Sequence, residues 1–391
     1  MVSATASSRL PRAWAGGWIS SPGWDFFWMF AALWGGALLL AGSSVFGLAV
    51  FAATIFFAER VVSIAHSWST TWMVLFSPLL ASERKRRRAT FLWIPLGITL
   101  GSFALGVFVA GWQRFPASGE LGPELWAFGL YIALFWVLHF WHFGNQDFGV
   151  LSLYRSRAGQ TRMLDRRVDK LYTVVMMFMI QPIVYLSAVK TTAFAELTRA
   201  LLPLPGGWLE RIAPVALAVA AVASLGVAAF EIAKPNRSPG KLLYTVVILL
   251  HPLLLYGSIH FRDQGLAYLY LLAYLWSHWL IAIGLVGRIN TRHYRGHGDS
   301  RARSLGRHAL LLGAISGAVW LLTYPYTDYG LFNSDGFRYK HLLAQIGPTQ
   351  TLGIGLVLGF FLTEQLLHYY CDRCLFRFRD EGVRRAVAPL L

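Results

Sequence analysis

The sequence predicts an all-α, polytopic bundle of about ten membrane-spanning helices, with the N- and C-termini both cytoplasmic. Three observations predict it. The chain of 391 residues is 56% hydrophobic and only 14% charged, against about 25% charged in an ordinary soluble domain. Apolar runs of bilayer length recur, such as "FLWIPLGITLGSFALGVFVAG" at 91–111 and "LAYLYLLAYLWSHWLIAIGLVG" at 266–287. Each matches the roughly 20 residues a helix needs to cross the hydrocarbon core. Basic residues, finally, are concentrated in alternate loops.

The expected spans run over 26–42, 44–79, 90–111, 124–150, 168–189, 212–233, 242–260, 265–287, 306–323 and 349–374. The first apolar run begins near Phe26, after a small-residue stretch holding Arg9 and Arg12, with no clean cleavage site behind it. It reads as a retained helix and not as a signal peptide. The second run is too long for one straight crossing and is expected to tilt or to break near Ser63. Gln181–Pro182 marks a kink in the fifth, because proline interrupts the hydrogen-bond ladder of a helix.

The loops orient these spans. Segments 81–90, 154–170, 234–241, 288–307 and 371–385 carry 5, 6, 3, 6 and 5 Lys/Arg, while 111–123, 190–212, 261–264 and 324–348 carry 1, 3, 1 and 2. Rich and poor segments alternate as ten spans require, and the positive-inside rule puts the rich ones in the cytoplasm. The formal charge of +16 is thereby a topology signal; no nucleic-acid partner is expected. The domain division is a cytoplasmic segment at 1–24, one transmembrane domain at 25–378 and a short cytoplasmic tail at 379–391. A multi-pass protein of the bacterial inner membrane is the expected setting. The two cysteines, Cys371 and Cys374, form a lone CxxC, which lacks the second pair a structural zinc site wants.

The spans give each histidine a depth. His66, His139, His142, His251, His278 and His368 come from five spans and all fall in the middle-to-inner part of the membrane. His139 and His142 stand three apart on one helix face, which Gln146 continues. In "TEQLLHYYCD" the spacing of Glu364, His368 and Asp372 stacks carboxylate, imidazole and carboxylate along one stripe. One histidine in a helix is more often a packed, hydrogen-bonded residue than a ligand. Six at one depth, with carboxylates beside them, suit a metal, since ionisable groups in a span are costly and face the bundle interior. Imidazole with carboxylate suits iron in oxygen chemistry.

Residues 141–147, "WHFGNQD", resemble a short motif of the Brp/Blh family of membrane β-carotene dioxygenases, a histidine followed by an aromatic-glycine pair and an acidic residue. That resemblance implies a polytopic, iron-dependent enzyme, with His142 as a metal ligand and Asp147 as its acidic companion. The family's early proline-histidine-glycine motif is reduced here to His66 in "IAHSWSTTW". The likeness covers a few dozen residues at most.

The expected function is an integral-membrane, metal-dependent oxidoreductase of oxygenase or desaturase type acting on a lipid, isoprenoid or carotenoid. His66, His139, His142, His251, His278 and His368 are its metal-ligand candidates, Glu364 and Asp147 its catalytic carboxylates, and Gln146 and Asp372 its ligand-orienting partners. Iron, as one ion or two, is the expected cofactor; copper and haem b are the alternatives. The expected partners are membrane lipids, an apolar small-molecule substrate and an electron-donor protein, because no nicotinamide or flavin fingerprint is present. A haem-binding cytochrome and a proton-coupled transporter are the competing readings.

Overall fold

The computed structural model describes residues 17–35, 38, 41, 58–112, 126–187, 207–260, 264–295, 298, 300–327, 348–376, 378 and 380–391. Among them every regular element is helical and no strand occurs. In chain order, α1 spans Pro22–Trp28, α2 Ile64–Leu75, α3 Ala81–Arg86, α4 Ile94–Trp112 and α5 Trp126–Arg157. They are followed by α6 Met163–Val174, α7 Gln181–Ser187, α8 Trp208–Ile232, α9 Pro239–His260 and α10 Gln264–Arg295. Helices α11 Arg301–Thr327, α12 Pro348–Leu375 and α13 Glu381–Val387 complete the described series.

Among the described residues, four stretches are long and apolar enough to cross a membrane: Ala89–Gly111, Met163–Tyr185, Arg211–Ile232 and Pro239–Gly257. They coincide with the expected third, fifth, sixth and seventh spans. Helices α5, α10, α11 and α12, of 32, 32, 27 and 28 residues, occupy the expected fourth, eighth, ninth and tenth. Most of the expected first span, and the first part of the second, lie outside the described residues. The outer surface is the inverse of a soluble protein's. On α8 Val215, Val219, Val222 and Leu225 form one stripe and are 61%, 47%, 69% and 70% exposed. An apolar stripe turned outward is the signature of a lipid or partner contact.

Among the described residues, three π-helical turns interrupt the helices, at Ala58–Ser63, Ala89–Trp93 and Val175–Ile180. The first ends at Ser63, where the sequence predicts a break. The third ends just before Gln181–Pro182, the predicted kink, and absorbs the backbone bond that Pro182 cannot donate. Helices α4 and α12 approach so closely that a Cβ on Gly106 would stand 2.3 Å from the Gly355 carbonyl oxygen. One on Gly359 would stand 2.6 Å from Phe103 Cα. Only glycine permits that approach, as at small-residue interfaces between membrane helices.

At one end of the bundle a group of charged residues is buried, not solvated. Lys234 Nζ lies 2.9 Å from Asp165 and 2.8 Å from Glu231, and Lys241 Nζ lies 2.7 Å from Asp169 and 3.2 Å from Glu231. Arg155 reaches Asp169 at 2.5 Å, and Gln160 donates to Glu231 at 2.5 Å. This network ties α5, α6, α8 and the start of α9 together through segments that the sequence presents as loops.

The expected tail at 379–391 differs from a trailing segment. Helix α13 folds back, and Val383, Val387 and Leu391 join the main apolar core with Phe30, Tyr154, Tyr274 and Leu375. The apolar spacing of Val383 and Val387, one helical turn apart, is what seats them there. Cys371 and Cys374 are both free and buried in that core.

Candidate metal centre

Four helices each send one imidazole to a common point: His66 from the first turn of α2, His142 from the middle of α5, His278 from α10 and His368 from α12. One potential ligand atom from each lies within 4.8 Å of all the others. The rings form a near-square. Its edges, between ring centroids, are 4.1 Å (His66–His368), 4.5 Å (His66–His278), 4.7 Å (His142–His368) and 4.9 Å (His142–His278). The diagonals are 6.5 Å (His66–His142) and 6.4 Å (His278–His368). A metal–imidazole bond is about 2.1 Å long, so ligand atoms on opposite sides of one ion stand about 4.2 Å apart. The quartet has that scale.

All four are buried, between 0% and 4% exposed. His66 Nδ1, His142 Nε2 and His368 Nε2 nevertheless have no hydrogen-bond partner. Buried polar atoms are nearly always paired, and leaving one unpaired costs about 1–3 kcal/mol. Several imidazole nitrogens left open at one point therefore fit a cation that would take their lone pairs.

The surroundings orient the rings. Thr70 Oγ1, one turn beyond His66 on α2, lies 2.8 Å from His368 Nδ1. With the Nδ1 proton donated to Thr70, Nε2 keeps its lone pair, the usual way an outer partner fixes a ligand's tautomer. Asp372 lies 3.7 Å from His142 Nε2 and 3.5 Å from His368 Nδ1. Tyr369 stacks on His142 at 4.2 Å and 20°, and Phe143 stacks on His278 at 3.7 Å and 18°. Gln146 donates to the His278 backbone carbonyl at 3.1 Å, joining α5 to α10.

Of the six predicted ligands, His139 and His251 stand outside this quartet. His139 Nδ1 is 3.2 Å from Tyr369 Oη, and its ring is 6.3 Å from that of His278. His251 Nε2 is 2.9 Å from Ser277 Oγ, and its Nδ1 is 3.6 Å from Asp147. Asp147 also accepts a 2.7 Å hydrogen bond from Tyr244. The carboxylate lying against His142 is thus Asp372, not the Asp147 that the short motif suggests. Glu364 faces a separate cavity one turn above His368.

Thr70, Tyr369 and Phe143 were not among the expected site residues. Thr70 had a signal: it stands at i+4 from His66 and shares its face. Tyr369 and Phe143 follow a site histidine directly in sequence, a position on a helix that gives no reason to expect stacking on the quartet. Gln181, at the predicted kink, accepts a 2.8 Å hydrogen bond from Tyr274. No family model, no curated protein and no solved structure matches this chain.

Proposed function

We propose that the protein is a multi-pass membrane oxidoreductase of oxygenase or desaturase type, holding one iron ion between His66, His142, His278 and His368. Its substrate class is an apolar lipid, isoprenoid or carotenoid reached from the bilayer. The observation that carries this reading is the quartet itself: four buried imidazoles from four separate helices, mutually within 4.8 Å. Iron at such a centre supplies oxygen chemistry wherever the imidazoles leave a coordination position open.

The chain's own residues do the rest. Thr70 holds the imidazole of His368 in one tautomer, with the Asp372 carboxylate 3.5 Å away. Tyr369 and Phe143 plate two of the rings and exclude water from them. The likeness of residues 141–147 to carotene dioxygenases supports the reading through His142 alone, and reductant would come from a partner protein. The alternation of basic loops supports ten spans with both termini in the cytoplasm. The ion pairs Lys234–Asp165 and Lys241–Asp169, which join 154–170 to 234–241, two basic segments on one expected side, favour it too. The inner membrane of a bacterium is the setting we propose.

The cytochrome reading fits less well. Haem needs two imidazoles held apart by a macrocycle, whereas these rings touch neighbours edge to face at 4.1–4.9 Å. The transporter reading draws on one observation, the buried Asp147–His251 pair at 3.6 Å outside the quartet. Elemental analysis with an optical spectrum on detergent-purified protein separates the three. One iron per chain without a Soret band is the expected result. A Soret band would move the assignment to a cytochrome, and protein that never holds metal would move it to the transporter.

A further inference from the structure

A cavity of about 240 Å³ opens between α2, α4 and α12. Trp68, Phe103, Phe360 and Leu367 supply its apolar walls, and Thr363 and Glu364 its polar end. Two other hydroxyls reach it, but both are committed to their own helices: Thr71 donates to the Ser67 carbonyl at 2.9 Å and Thr99 to the Pro95 carbonyl at 2.9 Å. Thr363 Oγ1 is buried without a hydrogen-bond partner, and Trp68 Nε1 is buried against the Glu364 carboxyl. Glu364 and Thr363 are each 7% exposed.

We infer that this cavity binds the hydroxyl-bearing end of a long apolar alcohol. The polar end combines an indole N–H, which only donates, with a carboxyl group and a threonine hydroxyl that both accept. An ammonium group only donates and cannot satisfy the indole, and a hydrocarbon satisfies neither the indole nor the carboxyl. A hydroxyl satisfies both at once. Ordinary ligand pockets measure roughly 300–1,000 Å³, so this cavity accommodates one end of a molecule and not the whole of it. The remainder has an apolar path along the outer faces of the same two helices, where Leu96 and Leu100 of α4 and Leu352 and Leu356 of α12 are exposed. Glu364 precedes His368 by one helical turn, about 5.4 Å along the axis. The hydroxyl end would therefore sit beside the imidazole quartet. For what happens to the ligand the inference rests on the metal-centre reading; for which ligand binds, it does not.

The test uses the full chain in detergent and two photoreactive probes, a diazirine-bearing hexadecanol and the matching hexadecane, with crosslinks located by mass spectrometry. The alcohol is expected to label residues 360–367 at least about tenfold more than the alkane, the worth of one hydrogen bond made in a buried site. The double variant Thr363→Val/Glu364→Leu is expected to abolish that difference while its metal content stays at the wild-type level. Equal labelling by both probes, or labelling away from 360–367, would overturn the inference even where iron is present. Conversely, wild-type protein without iron that still shows the tenfold preference would overturn the metal-centre reading and leave this one standing.

Discussion

The His368→Ala protein, purified in parallel with wild type, is expected to retain less than about one-tenth of the iron. Removing even an outer partner of a metal ligand costs about 10–100-fold in affinity, and His368 is itself a ligand in the proposed centre. It also forms two edges of the imidazole near-square. His142→Ala is expected to behave alike, since it too forms two edges, one of them shared with His368. Thr70→Val keeps the ligand and loses only the 2.8 Å contact that orients it, so its loss should be the smaller. Iron content per chain, measured against a monodisperse elution profile, reads all three. His368→Ala protein carrying the wild-type metal load would remove the core of the proposal. His139→Ala and His251→Ala are the controls, for both residues lie outside the quartet, and their metal content is expected to hold.

Lys241→Met is expected to destabilise the bundle by about 3–5 kcal/mol, the cost of stripping one partner from a buried ion pair. Lys241 is 1% exposed and stands between Asp169 and Glu231. Methionine fills much the same volume, so the loss is one of charge and not of packing. Asp169 keeps Arg155 and Glu231 keeps Lys234, but three carboxylates would then share one cation fewer. Unfolding midpoints in mixed micelles measure the effect. The companion double variant Lys241→Met/Asp169→Leu should recover part of the loss, because it removes the orphaned charge as well. A neutral Lys241→Met would show that water, and not lysine, solvates those carboxylates.

Hydropathy made the helices legible, because a bilayer sets the length of each apolar run irrespective of neighbours. Spacing made part of the site legible. The Glu364–His368–Asp372 stripe lies on α12 as the four-residue interval requires, and His142 and His368 meet as the shared depth suggests. Depth alone, however, does not fix rotation about the helix axis. His139, only three residues from His142, turns toward Tyr369, while His251 turns toward Ser277 and Asp147. Nor does it say which helices touch. The pairing of α4 with α12 rests on Gly106, Gly355 and Gly359, and glycines scattered through apolar runs do not announce their partners. The charged segments at 154–170 and 234–241 read as solvated loops because their sequence is polar. Only the fold shows that Asp165, Asp169, Glu231, Lys234 and Lys241 neutralise each other and are buried together.

The enclosure of the four imidazoles bears on exchange kinetics. None is more than 4% exposed, and two of them lie beneath stacked aromatic rings. An ion seated there could leave only when α2, α5, α10 and α12 part. Its release into an external chelator would then proceed at the rate of that opening, independent of chelator concentration once the chelator is in excess, and loading would belong to the assembly of the helices in the membrane.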